Sequence, residues 1–328
     1  MAKTLDVETK VEPVVYDEYS SIPKDAFTHV GSDIQSGEKI TRQSLSYWKD
    51  AKNRLLSQKS TIIFIVILTI IIIGSILIPL FSQFSISEQH LEHTNIGMFS
   101  SVEGHMHIFG TDSLGRDIWV RIWYGSRISL IIAFTAIAIN CVVGIVYGGI
   151  SGYFGGRLDN IMMRIVEVIN GIPYLLVVIL LRIILPGGII SIIIAYSLVG
   201  WIGMARLVRG QIIQLKEQEF VIAAKTMGAS SSRIIARHMV PNLLSVIIVN
   251  LTLSIPNAIF TEAFLSFIGL GVAVPEASLG TMANEGIINF RNYPSQLFIP
   301  AILMSITMLS FNLIGDKLRD AFDPKLRR

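Results

Sequence analysis

TIIFIVILTIIIIGSILIPLF, residues 61–81, runs for 21 residues without a charged side chain. The hydrocarbon core of a bilayer is about 30 Å thick, and about 20 apolar residues in α-helix cross it. This stretch therefore predicts one transmembrane helix. A long polar segment precedes it, so it reads as an uncleaved span rather than a signal peptide. The same test applied outward finds more charge-free windows. One lies between Arg127 and Arg157 and predicts a second span over 128–150. From Glu167 to Arg206 the only charge is Arg182, and Pro186-Gly187-Gly188 divides the window. Its halves predict a tight helical hairpin, spans three and four, over 167–185 and 189–206. The fifth span is predicted over 242–266 and the sixth over 296–315. The fold class is thus an all-α integral membrane protein with six transmembrane helices.

Composition agrees. Of the 328 residues, 52% are hydrophobic and 16% charged, against about 25% charged in soluble domains, and the mean hydropathy is +0.59. The net charge of +3 is small, and its placement fits membrane topology better than nucleic acid, so no nucleic-acid partner is expected. The single cysteine, Cys141, allows no intrachain disulfide and lies in an apolar run that suggests plain packing.

Six spans place both termini on one side. Lys and Arg number nine in residues 1–59, two in the 151–166 loop, six in the 206–241 loop and five in the tail 316–328, a total of 22. The opposite side holds five, namely Arg116, Arg121, Arg127, Arg182 and Arg291. The positive-inside bias assigns both termini to the cytoplasm. Residues 1–60 form the N-terminal segment. Its first 40 residues hold eight acids and four bases and read as a flexible tail, whereas 41–59 hold five bases and one acid. That basic patch suits anionic lipid headgroups, or serves as a topology signal.

The outer loop 82–127 ends in DIWVRIWYGSRISL, with Trp119, Trp123 and Tyr124 suited to a membrane interface. A short interfacial helix leading into the second span is expected there. His90, His93, His105 and His107 lie in this loop. Imidazoles ligate metals, but the loose spacing and lack of cysteine favour solvated side chains, so no metal is expected. Arg182, about four residues from the outer end of its helix, either snorkels to the interface or lines a substrate pathway. Glu262, near the outer end of span five, lines the pathway or bonds to a neighbouring helix. Glu167 reads as an interface residue.

The chain lacks G-x-x-x-x-G-K-[ST], HExxH, CxxC and G-x-S-x-G, so it has no phosphate-binding loop and no recognisable catalytic motif of its own. No span carries a selectivity-filter pattern, and no paired repeats with broken helices suggest an ion-gradient secondary transporter. A transport or scaffold role remains, with energy supplied from elsewhere.

The 206–241 loop is the most informative segment. Residues 217–227 contain good helix formers, Gly228 is a natural helix end, Ser230 is placed to cap a second helix reaching about Val240, and Pro241 is expected to begin a turn into span five. Ala223 and Ala224 are expected as small surface positions that let another protein approach. From these residues alone, a docking helix and an ordinary amphipathic connector are equally good readings.

This stretch resembles the EAA loop of ABC importer permeases, a pattern of E-A-A, three residues and G, followed by a proline near the next span. Ala223, Ala224 and Gly228 match; Ile222 stands at the glutamate position. Glu219 matches a position often acidic in the peptide-importer branch, and His238, Pro241 and Asn242 match its H-x-x-P-N ending. HIFGTDSLGRDIWVRIWYGSRISL (107–130), EAFLSFIGLGVAVPEASLG (262–280) and FNLIGDKLRDAFDPK (311–325) resemble the corresponding blocks of C-type permeases of the oligopeptide, dipeptide and nickel group. The resemblance implies a MetI-like permease fold, with a core over 128–315. It also implies a plasma-membrane location in a bacterium and import of oligopeptides or dipeptides, or alternatively of nickel or a metal chelate. Its implied partners are a second, B-type permease, two cytoplasmic ATPases that use ATP and Mg, an extracellular substrate-binding protein and membrane lipids. No cofactor is implied for this chain. Glu219, Phe220, Ile222, Ala223, Ala224 and Gly228 are implied to belong to the ATPase contact, with Phe220, Val221 and Ile222 offering apolar area in place of the missing glutamate.

Overall fold

Long apolar helices dominate the computed structural model, which describes residues 47–102, 104–185, 188–272 and 275–323. The flexible tail expected over 1–40 lies outside these residues, as does the end of the tail beyond Asp323.

Helix α1 (Tyr47–Ser57) carries the basic segment up to α2 (Lys59–Phe81), the predicted first span. Only Thr61, Leu68, Ile71 and Ser75 of α2 are buried, along one narrow face. Leu68 and Ile71 pack with Leu130, Ala133, Ile259 and Phe311 of later helices. The outer loop folds a short antiparallel hairpin, β1 (Ser100–Val102) with β2 (His105–His107).

The expected interfacial helix is not a separate element. It is the first part of α3 (Ile118–Phe154), whose 37 residues span about 55 Å at 1.5 Å per residue, more than a bilayer core needs. Asp117 caps it, accepting from Val120 N at 2.9 Å. The expected third span is not one helix either. Helix α4 (Gly156–Asn170) and α5 (Tyr174–Ile184) meet at an angle of 77°. The break falls at Gly171-Ile172-Pro173, where proline lacks the N–H that would continue the helix, and all three residues are exposed. Among the described residues five helices are long and apolar enough to cross a membrane, and the bent pair, taken as one span, brings the count to six.

Helix α6 (Ile189–Leu215) continues nine residues past the predicted span. Helix α7 (Glu219–Thr226) follows, and then α8 (Ser231–Arg233), a π turn (Ile234–Met239) and α9 (Val240–Phe267) run on as one helix. Pro241 therefore starts no turn. It sits at the start of α9, and the preceding π turn accommodates a ring that has no donor and crowds the carbonyl four residues back. Asn242 Nδ2 donates to His238 O at 2.6 Å beside it. Ser230 stands at the cap position of α8 but makes no capping bond; its hydroxyl pairs with that of Ser232 at 3.3 Å. Helix α10 (Leu279–Ile288), not anticipated from the sequence, opens with a capping box between Ser278 and Thr281. Helix α11 (Ser295–Phe322) is the last span and takes in most of what was expected as the tail from 316.

Helices α3 and α6 make the most extensive contact. Gly144, Gly148 and Gly152 recur every four residues on the face of α3 that meets α6. A Cβ on Gly144 would lie 2.6 Å from Met204 Cβ, one on Gly148 would strike the carbonyl oxygen of Ala205, and one on Gly152 would lie 2.8 Å from Arg209 O. Such spacing of small residues lets membrane helices touch backbone to backbone.

Candidate functional site

The loop after α6 folds against its own helices. Val221 and Ala224 of α7 are each 3% exposed and pack with Val208, Ile212, Ile234, Met239 and Leu243. Three of these, Ile212, Ile234 and Met239, are fully enclosed, so α7 is pinned across the end of α6 and the start of α9. The opposite face is open. Phe220, Ile222 and Met227 are 41%, 53% and 82% exposed, and Glu219, Ala223 and Lys225 are exposed with them. Alternate exposure follows the helical period.

This corrects one expectation. Ala224 is not a surface position; it belongs to the chain's own core. Val221 is likewise turned inward, so the apolar area available to another protein comes from Phe220, Ile222 and Met227.

Gly228 ends α7 with φ +80°. Gly228 N donates to Lys225 O at 3.0 Å and Ala229 N to Ala224 O at 3.1 Å, the paired bonds of a Schellman ending, which needs the left-handed conformation at this residue. The space around it is empty, since a Cβ there would meet nothing within 4 Å. The requirement for glycine is therefore conformational and not one of room.

A second arrangement anchors the helices behind α7. Asp159 near the start of α4 accepts from Arg209 Nε at 2.5 Å and from Arg209 Nη2 at 2.6 Å, and from Ser151 Oγ of α3 at 2.5 Å. A two-pronged guanidinium–carboxylate contact fixes geometry as well as charge. It ties α3, α4 and α6 together where α6 approaches α7.

Glu262, which the sequence left between two roles, is 1% exposed. Its carboxylate accepts from Ser129 Oγ of α3 at 2.6 Å and from Ser266 Oγ of its own helix at 2.7 Å, and Ser129 Oγ also accepts from Leu279 N at the start of α10. It is a cross-helix bond and lines no open surface. Arg182 of α5 is half-buried, and its Nη1 is enclosed without a hydrogen-bond partner among the described residues.

Sequence reasoning did not find the charged cluster at the other end of α3. Asp112, Arg116 and Arg121 are 6%, 3% and 1% exposed. Arg116 Nε donates to Asp112 Oδ2 at 2.7 Å and Arg116 Nη2 to Glu285 Oε2 at 3.0 Å. Arg121 donates to Glu285 Oε2 at 2.7 Å and also bonds Asp112. Two guanidiniums and two carboxylates balance, which burial of charge demands, and the cluster fastens the unanticipated α10 to the head of α3. His107 Nδ1 pairs with Asp117 Oδ2 at 2.7 Å close by. No group of three ligating side chains that could hold a metal occurs among the described residues.

Residues 144–328 match the family of binding-protein-dependent transport system inner membrane components, and residues 46–97 match the N-terminal transmembrane domain of oligopeptide transport permease C. The oligopeptide transport system permease protein OppC of Bacillus subtilis is 48% identical over 94% of this chain and 99% of its own length. The dipeptide transport system permease protein DppC of the same organism is 44% identical over 95% and 96%. OppC of Escherichia coli is 41% identical over 88% and 95%. A chain of the inward-facing MetNI methionine ABC transporter, 18% identical, shares the fold with a TM-score of 0.50 over 60% of this chain and 94% of that one. With its apolar spans, its glycine-ended loop helix and relatives matched nearly end to end, the chain belongs to the family of binding-protein-dependent transport system inner membrane components.

Proposed function

We propose that this chain is the C-type permease subunit of an ATP-driven peptide importer. It forms half of the translocation pathway beside a B-type permease, and an extracellular binding protein delivers the substrate. The two ATPases that bind ATP and Mg are separate cytoplasmic chains. The observation that carries this reading is the two-faced α7: one face is locked into the chain's core, and the other presents Phe220, Ile222 and Met227 to the surroundings. A rigid helix with an exposed apolar tip suits a groove on a partner, and its inward residues carry any displacement straight into α6 and α9. Closure of the ATPases then biases which face of the pathway is open. The names of the relatives support peptides as cargo.

The purified chain alone is expected to hydrolyse no ATP. Assembled with two ATPases and the second permease, it should support ATP turnover that a peptide-loaded binding protein stimulates. Turnover by the isolated chain, or none by the assembly, overturns the reading.

The same reading sets α7 and both termini in the cytoplasm, in line with the basic-residue bias. In a Cys141→Ser background, a cysteine replacing exposed Asn292 should react in intact cells with a membrane-impermeant thiol reagent. One replacing Ser230 should react only after lysis. Reaction at 230 in intact cells reverses the orientation.

A further inference from the structure

Where α3, α6 and α9 pass one another near their midpoints, a pocket of about 180 Å³ is lined by Asn140, Cys141, Tyr196, Gly200, Asn250 and Ser254 together with apolar side chains. Asn140 is 6% exposed, and its Oδ1 is enclosed without a donor among the described residues. Gly200 leaves the room that this carboxamide occupies, since a Cβ there would run into it. The Ser254 hydroxyl turns back to donate to Asn250 O at 2.7 Å, so its oxygen still offers lone pairs. A carboxamide oxygen buried without a donor is destabilising. Polar side chains gathered at the middle of apolar spans mark a functional site by default.

The lining contains no ionised side chain. The pocket therefore suits a neutral hydrogen-bonding group and not a metal ion or a charged chain terminus. A carboxamide has the same donor and acceptor set as a peptide group: its oxygen accepts an N–H and its NH₂ donates to a C=O. We propose that this pocket is a station on the transport pathway that takes the backbone amide of a peptide in transit, with the Asn140 carboxamide turning from its enclosed position so that Oδ1 accepts from the peptide N–H. A contact made only to the backbone is blind to side chains. This inference rests on the peptide-importer reading above. Water offers the same kind of donor, and the experiment separates the two.

Cys141 is the chain's only cysteine and lies in the pocket wall, so it is a built-in reporter. The complete importer in nanodiscs is exposed to a small charged methanethiosulfonate, with and without oligo-alanine peptides of two to six residues, and modification of Cys141 is read by mass spectrometry. Cys141 should be modified, and saturating peptide should slow the reaction several-fold. Independently, Asn140→Leu should raise the KM of oligo-alanine uptake about tenfold, the factor for one lost hydrogen bond, whereas Thr135→Leu on the exposed side of α3 should not. An unreactive Cys141 shows a dry pocket and overturns the proposal. Modification that peptide leaves unchanged, with a normal KM for Asn140→Leu, shows a water site only and overturns it as well. Failure of the wild-type importer to take up any of the peptides counts against the importer reading instead, and is established before the variant is measured.

Discussion

Gly148→Leu is expected to strip the folded protein from the membrane. The glycine faces the backbone of α6, and even a methyl group would meet the Ala205 carbonyl, with Arg209 N 3.0 Å away. A flexible side chain could swing aside, but a helix backbone cannot, so α3 and α6 have to part along the Gly144–Gly152 face. Overpacking costs about 1–3 kcal/mol where neighbours adjust, and this site belongs at the top of that range. About 3 kcal/mol is roughly a hundredfold in the folded population. Membrane abundance by immunoblot and the thermal midpoint in detergent should both fall sharply. Gly210→Leu is the control. A Cβ on this glycine of α6 would meet nothing within 4 Å, and its abundance should stay near wild type. Equal losses in the two variants would show that the glycine spacing has no special role.

Substitutions on the open face of α7 should spare the fold and stop transport. Ala223 is exposed, so Ala223→Asp leaves the chain's own packing untouched but puts an unpaired charge into the proposed ATPase contact, where removal from water is costly. Uptake should drop at least about tenfold, a modest share of the several kcal/mol such a charge costs, with normal abundance and poor recovery of the ATPases in pull-downs. Gly228→Val should act similarly through the backbone. The left-handed conformation costs an ordinary residue about 1–2 kcal/mol and a β-branched one more, so the end of α7 unwinds or tilts. Gly228→Ala should be milder. Ala224→Asp makes the contrast, because Ala224 is only 3% exposed and a charge there should lower abundance itself. Normal uptake and normal ATPase recovery in both Ala223→Asp and Gly228→Val would make α7 a plain connector.

The spans were legible because a bilayer sets a length and excludes charge, two properties that a sequence states openly. The α7 helix and its end at Gly228 were legible from local chemistry. The inward turn of Ala224 was not, since eight residues are too few to show a periodic face. The break in the third span did carry a signal, Gly171 followed by Pro173, but an apolar run of suitable length outweighed it. Pro241 misled in the opposite sense. A proline that usually ends a helix is absorbed here by a wider turn, and nothing local announces that. The charged cluster was invisible for another reason. Arg121 and Glu285 stand 164 positions apart, and only the packing of α10 against α3 brings them together. Glu262 was singled out as a charge in an apolar stretch, but its role waited on Ser129, another distant partner.

The kink between α4 and α5 has a bearing on which neighbours the chain accepts. Wherever a helix stops, the amides opening the next one and the carbonyls closing the last lack internal partners. Hydrocarbon tails supply none, and each such group left among them costs several kcal/mol. At this bend the chain meets much of that need itself: Gly171 N donates to Glu167 O at 2.9 Å, Ile172 N to Ile169 O at 3.2 Å, Pro173 has no N–H to satisfy, and its carbonyl accepts from Leu176 N at 3.0 Å. The exposed corner therefore suits a neighbour that supplies partners to the few groups left over, a second protein chain or water at the membrane surface.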